Sequence, residues 1–201
     1  MKGAEPEGDG LAFQLLRRVF ETYEPLPEAV WDDVRRPWHR RRVERGDVLT
    51  RVGEVERTFA LVLSGVQRIY YPTPDGGEVT LAFAYAPGFS GVPDSFFLEE
   101  PSEYALEAVT DGEVLAVEYD DFARLMDRHR ELDRWAWRLF ALALRGRAKR
   151  EREMLTMTAR DRYERLLRES PQVLDLVPLR YVASYLGMTP ETLSRARAGR
   201  S

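Results

Sequence analysis

Cysteine is absent from this 201-residue sequence, and histidine occurs only as His39 and His129. Without cysteine there is no disulfide, no thiol nucleophile, no cysteine-held iron–sulfur cluster and no cysteine-based zinc site. Two scattered histidines cannot build a metal centre of the cupin type, which needs a His cluster with a Glu. Ser, Asp and His show no nucleophile–base spacing, so hydrolase chemistry has nothing to carry it and the expectation is a protein that is not an enzyme. Long hydrophobic runs are missing too: none approaches the ~20 residues of a membrane span. The acidic opening MKGAEPEGDG is no signal peptide. A cytoplasmic protein without a membrane partner is the default reading, with residues 1–10 as a disordered leader. Internal repeats and low-complexity tracts are also lacking.

What is present is ordinary for a globular chain, 44% hydrophobic and 32% charged, and long enough for one large or two small domains. The net charge of −4 is unevenly spread. From Arg160 onward eight Arg face five acids, a net +3, leaving 22 basic against 29 acidic side chains, −7, in the rest. That asymmetry suits a sensor joined to a reader of nucleic acid.

The strongest local signal is LRYVASYLGMTPETLSRAR, residues 179–197. Leu179, Val182, Ala183 and Leu186 repeat as one buried helical face, and Gly187 supplies the left-handed stop. Thr189 is placed as an N-cap, with Pro190 at the first helical position and Glu191 in the first turn. Ala183 permits a close crossing and Leu193 plugs the gap between the helices. Pro190, Glu191, Thr192, Ser194, Arg195 and Arg197 are left facing outward. This is the layout of a DNA-binding helix-turn-helix, whose second helix enters the major groove. The plainer alternative is a helical hairpin in a bundle.

Upstream, Leu11–Tyr23 reads as a short amphipathic helix broken by Pro25 and Pro27, and Glu28–Arg36 as a brief restart. From Trp38 to Glu118 the period falls to two. Phe59–Leu63, Val66–Tyr71, Val79–Ala84 and Val114–Glu118 are short strands set between turns, which predicts a small β-barrel or jelly roll. Asp75-Gly76 is a hairpin turn. Asp120 or Asp121 is expected to cap FARLMDRH. A Pro-free helix follows over 131–157, apolar on one side through Leu132, Trp135 and Leu139 and on another through Trp137, Phe140 and Leu144. Two apolar sides need two partners, its own β-domain and the same helix of a second copy. Arg145, Arg147, Lys149, Arg150 and Arg152 read as a solvated face. Thr158–Asp161 reads as a capping box opening a helix to Arg168, with Tyr163, Leu166 and Leu167 inward, and Val173–Val177 as a lead into the helix-turn-helix.

In this order the elements resemble the Crp/Fnr transcription regulators. The run VERGDVLTRVGEVERTFALVLSGVQRIYYPTPDGGEVTLAFAYAPGFSG (43–91) is similar to their cyclic-nucleotide-binding domain, punctuated by Gly46-Asp47, Gly53-Glu54, Leu63-Ser64-Gly65, Asp75-Gly76 and Pro87-Gly88. TPETLSR (189–195) is similar to their recognition-helix signature. The resemblance implies an α+β chain: a β-roll sensor over 1–130, a dimerisation helix over 131–157, and a helix-turn-helix over 158–201 without an evident β wing. It implies double-stranded DNA and a second copy of the chain as partners. Glu191 and Arg195 match the family's base-contacting pair, the acid accepting from cytosine N4 and the Arg donating to guanine, with Thr189, Thr192 and Ser194 on phosphates. Pro190 stands where an Arg is common. With fewer backbone contacts, DNA binding is expected to be weaker or to depend on a partner such as RNA polymerase.

The resemblance also places the phosphate-binding cassette at Gly91 to about Ala108. Family members that bind cyclic nucleotides carry a Glu after the Gly, for the ribose, and an Arg followed by Ser or Thr for the phosphate. Here Val92 replaces the Glu, and Ser102-Glu103-Tyr104 replaces the Arg pair; no Arg lies between Arg68 and Arg124. A buried phosphate would lack charge-assisted bonds, and Glu103 would repel it. The expectation is an uncharged or unidentified small-molecule effector, or none, rather than cAMP or cGMP. No cysteine excludes an iron–sulfur sensor, and the scattered His argue against haem. A second expectation, from another class, is a ligand- or protein-binding module whose helix-turn-helix no longer reads DNA.

Overall fold

The computed structural model describes residues 7–199. In chain order it comprises α1 (Glu7–Tyr23), α2 (Glu28–Val34), β1 (His39–Val43), β2 (Val48–Thr50), β3 (Thr58–Ser64), β4 (Val66–Pro72), β5 (Glu78–Tyr85), β6 (Phe89–Ser90), α3 (Pro93–Leu98), β7 (Ala105–Ala108), β8 (Gly112–Glu118), α4 (Tyr119–Arg128), α5 (Glu131–Thr156), α6 (Ala159–Glu169), α7 (Pro171–Leu176), α8 (Leu179–Tyr185) and α9 (Pro190–Arg197). The strands form an antiparallel sandwich, order β1-β8-β3-β6 in one sheet and β2-β7-β4-β5 in the other. The jelly-roll alternative is therefore the one realised; the sheets do not close into a barrel.

Why β3 reads as an uninterrupted apolar run is plain from its two neighbours. Phe59 and Leu61 face the helical layer, together with Leu115 and Val117 of β8. Ala60 and Val62 face the sandwich interior, with Val114 and Ala116. Both faces are buried, so the period of two alternates large with small side chains instead of apolar with polar. The small inner set lets the sheets approach closely. The large outer set joins an aromatic cluster in which Trp135 of α5 stacks on Phe20 of α1, ring centroids 4.4 Å apart, and meets Phe59 and Phe89 edge-on. One face of α5 is thus bound to its own β-sandwich, as its spacing predicts.

Several boundaries differ from expectation. α1 begins at Glu7, inside the segment read as a leader; its packed stripe starts at Ala12, and a helix opens a turn ahead of its stripe because the first N–H groups have no intrahelical partner. Residues 1–6 lie outside the described ones. Neither Asp120 nor Asp121 caps α4: Glu118 holds that position without a side-chain bond, and the two acids fall in the first turn, where the dipole favours them. Leu167 is exposed, since α6 turns Leu166 inward, and Leu179 is exposed at the start of α8. Residues 171–176 are a helical turn, α7, where a linking segment is expected. Arg150 is not on a solvated face: it donates to the Tyr185 carbonyl at 2.6 Å and lies over that ring. The capping box is present, Thr158 and Asp161 each accepting from the other's backbone N–H. No strand flanks α9 among the described residues.

Candidate functional site

The turn between α8 and α9 is built entirely from local chemistry. Met188 N–H donates to the Ala183 carbonyl and Gly187 N–H to the Ser184 carbonyl, both at 3.0 Å, the double bond of a Schellman stop. Gly187 has φ +63°, and a Cβ there would press on the flexible end of the Met154 side chain of α5. The left-handed backbone is what favours glycine here. Arg162 of α6 donates to the Leu186 carbonyl at 2.9 Å and to the Met157 carbonyl at 2.8 Å, placing a cation on the open ends of α8 and α5. Thr189 then accepts from Thr192 N–H at 3.2 Å and starts α9. Leu193 is fully buried between the helices, beside Val182 and Ala183.

With Leu193 inward, Thr189, Pro190, Glu191, Ser194, Arg195 and Arg197 are exposed on one side of α9, and Thr192 is half-buried. All seven residues singled out in the sequence thus lie along one helix. Arg195 donates to the Thr192 hydroxyl at 3.2 Å, which holds its guanidinium along the helix. Glu191 is kept ionised: its own backbone N–H and the Thr189 hydroxyl hold its carboxyl below the usual range. The arrangement offers one fixed acceptor, one forked donor and short hydroxyls at the helix start, a set that can read base edges and grip phosphates.

The cassette residues are dispersed by comparison. Gly91 adopts φ +138°, and Val92 is buried with its N–H turned onto the carboxylate of Glu56, 3.2 Å away. Ser102 is buried and spends its hydroxyl on its own turn, donating to the Tyr104 carbonyl at 2.7 Å while accepting from Tyr104 N–H at 2.9 Å. Glu103 is exposed, and Tyr104 sits edge-on to Tyr71.

Glu56 is the residue that sequence reasoning missed. Its carboxylate, inside the sandwich, accepts from the Thr50 hydroxyl, from Thr58 N–H at 3.0 Å and from Val92 N–H. It ties β2, β3 and the cassette together. Gln67 and Ser90 hydrogen-bond across the two sheets beside it. Between these groups and Arg41 remains a void of about 10 Å³ for the centre of a water-sized sphere. Room of that size holds one water, far from the roughly 300–1,000 Å³ of ordinary ligand pockets. The only hint in the sequence is an acid placed between two apolar segments.

Burial raises the Glu56 carboxyl above its ordinary range, against the pull of its hydrogen bonds. A raised folded-state value favours the fold at low pH, and that contribution is lost as pH climbs from the ordinary range through the raised value. The stability of the wild type minus that of Glu56→Gln should accordingly fall as pH rises from about 4. Paired thermal melts check it, since all other carboxylates cancel; a difference flat with pH would refute the assignment.

Residues 40–129 match the family model described as cyclic nucleotide-binding domain. A relative from Rhizobium leguminosarum bv. viciae named "Probable transcriptional activator" is 29% identical over 170 residues, 78% of this chain and 68% of its own length. Among solved structures, FixK2 from Bradyrhizobium japonicum superposes with TM-score 0.71 at 22% identity, covering 81% of this chain and 83% of that one. The catabolite activator protein of Thermus thermophilus gives 0.53 at 24% identity, covering 88% and 84%.

Proposed function

We propose that the chain is a Crp/Fnr-like transcription regulator that acts as a homodimer reading a palindromic DNA site, a reading supported by the match of residues 40–129 to the cyclic nucleotide-binding domain. In this reading residues 1–130 are the sensor, 131–157 the dimerisation helix and 158–201 the reader. The observation that carries it is the solvent-facing row from Thr189 to Arg197 on a helix whose cap, stop and plug are all satisfied. Glu191 accepts from cytosine, Arg195 forks onto guanine, and Thr189, Thr192 and Ser194 take phosphates. Two such helices, one per subunit, would meet half-sites about one DNA turn apart. RNA polymerase remains the proposed further partner. No helix of the described residues is long and apolar enough to cross a membrane.

The proposed sensor does not take cAMP or cGMP. Its interior is filled by the chain's own side chains, and Gly91, Val92, Ser102, Glu103 and Tyr104 bring no cation toward the cassette. Any effector is a different small molecule.

Selection of random duplexes with the purified protein tests the reading, with one enriched palindrome and salt-dependent affinity expected. Arg195→Ala should then weaken binding by ~1–3 kcal/mol and relax preference at a single base pair in each half-site. Unchanged affinity and preference would remove Arg195 from base reading. The second reading, an interaction module, predicts no enriched sequence and no salt dependence.

A further inference from the structure

The reader is fastened to the sensor by a feature that no motif signals. Arg68 on β4 has a side chain only 1% exposed, although it carries a full positive charge. Its Nη2 donates to Glu78 of β5 at 2.6 Å and to Glu107 of β7 at 2.8 Å. The guanidinium carbon lies 4.1 Å from the centre of the Tyr70 ring and 3.6 Å from that of Tyr181 on α8. Arg180 lies against that same ring at 4.7 Å and donates to its hydroxyl at 3.0 Å. Tyr70, Arg68, Tyr181 and Arg180 thus form a chain of ring–cation contacts, a stack that crosses from the sandwich to α8. Planar, delocalised guanidinium is suited to such stacking, and burial strengthens it.

The same helix also closes an open sheet edge. β5 ends its sheet, so its outer backbone groups have no strand to pair with. The Ser184 hydroxyl of α8 accepts from Thr80 N–H at 2.9 Å and donates to the Glu78 carbonyl at 3.2 Å. A single side chain thus stands in for a strand's pair of bonds, and Phe83 packs on Tyr185 alongside. Through all of this the outward row of α9 remains exposed. The docked arrangement presents the reading face instead of hiding it.

We propose that Arg68 and Tyr181 are positioning residues for the DNA reader: the stack pins α8 to the open edge of the sensor's second sheet and so fixes the orientation of α9 from within its own subunit. This inference rests on the reading of the chain as a DNA binder and adds the device that aims it. A fixed orientation lowers the ordering cost of binding. It also makes the β4–β5 hairpin, along with α5, a route by which any change in the sensor reaches the reader.

The experiment compares the full-length wild type with Tyr181→Leu and Tyr181→Phe. Hydrogen exchange of the free proteins is read at Thr80 and across 182–186, with Leu61 and Leu115 as sensor references. Affinity is read on the duplex selected by the wild type. Tyr181→Leu should speed exchange at Thr80 and 182–186 together, leave Leu61 and Leu115 unmoved, and weaken DNA binding about tenfold with base preference unchanged, the scale of a lost buried cation–π contact. Tyr181→Phe, which keeps the ring, should behave as wild type in both. Unaltered exchange in Tyr181→Leu would overturn the clamp, and faster exchange with unaltered affinity would overturn its positioning role. Should the wild type bind no duplex at all, the DNA reading falls and takes the positioning role with it, while the exchange result still decides whether the stack holds the two parts together.

Discussion

Trp135→Ala should destabilise the protein by about 3–5 kcal/mol, among the largest losses a single side chain can produce. Trp135 is fully buried, stacked on Phe20 and ringed by Tyr23, Phe59, Phe89 and Phe122. Its removal deletes the apolar area of an indole and opens a cavity at the junction of α1, α5 and the first sheet. None of those elements can collapse into the gap without dragging a sheet with it. For a chain of this size each kcal/mol moves the melting midpoint by roughly 2–4 °C, so a drop of roughly 6–20 °C is expected in calorimetry. Trp135→Phe, which preserves the stack on Phe20, should recover more than half of it. A loss under 1 kcal/mol for the alanine variant would mean that α5 is held to the sensor by something other than this cluster.

How far the sequence discloses the fold depends on whether an element's cause is local. The α8–α9 unit is legible because its determinants sit within a few residues of each other: Gly187 for the stop, Thr189 for the cap, Leu193 for the plug. The Thr158–Asp161 box is legible for the same reason. Strands β1, β2 and β7 are harder to see. His39–Val43 is a run of cations with one buried valine, and becomes a strand because β8 pairs with it at every position. Ala105–Ala108 is overlooked inside the cassette, and its strand nature comes from β2 and β4 on either side. Pairing partners remote in sequence leave no periodicity behind.

The sites divide along the same line. The outward face of α9 follows from helical spacing, so the seven residues proposed to read DNA can be named in advance. Glu56 and Arg68 cannot. A lone acid in a loop, or a lone arginine in a strand, reads as a surface residue until Thr50, Thr58 and Val92 converge on the first, and Glu78, Glu107 and Tyr181 on the second. Both are buried ionisable groups held by partners from several elements, and only tertiary structure supplies such a set. The cassette illustrates the converse: which residue types are missing is plain from the sequence, but that Glu56 takes the Val92 N–H is not.

The second large effect is expected at the free face of α5. Trp137 and Leu144 are 79% and 69% exposed, and with Phe140, Phe97 and Leu98 they line a groove of about 970 Å³ between α5 and α3. Soluble proteins rarely leave so broad an apolar patch open to water. The repeat of Trp137, Phe140 and Leu144 is a helix seam of about 11 Å at 1.5 Å per residue, near the start of the 26-residue α5. An identical helix offers the same seam back, which is why the occupant is taken to be a second copy. The double variant Trp137→Glu, Leu144→Glu places four carboxylates in the joined interface yet removes no contact from the aromatic cluster around Trp135. It should be monomeric by light scattering, with a melting midpoint set by the sensor core. Its affinity for a full palindrome should fall by roughly 10²–10⁴-fold, the advantage of two linked readers over one, while binding to a single half-site is unchanged. A variant that stays dimeric would move the interface away from this face, and a monomer that still holds the palindrome at full strength would show that the two readers do not act as a pair.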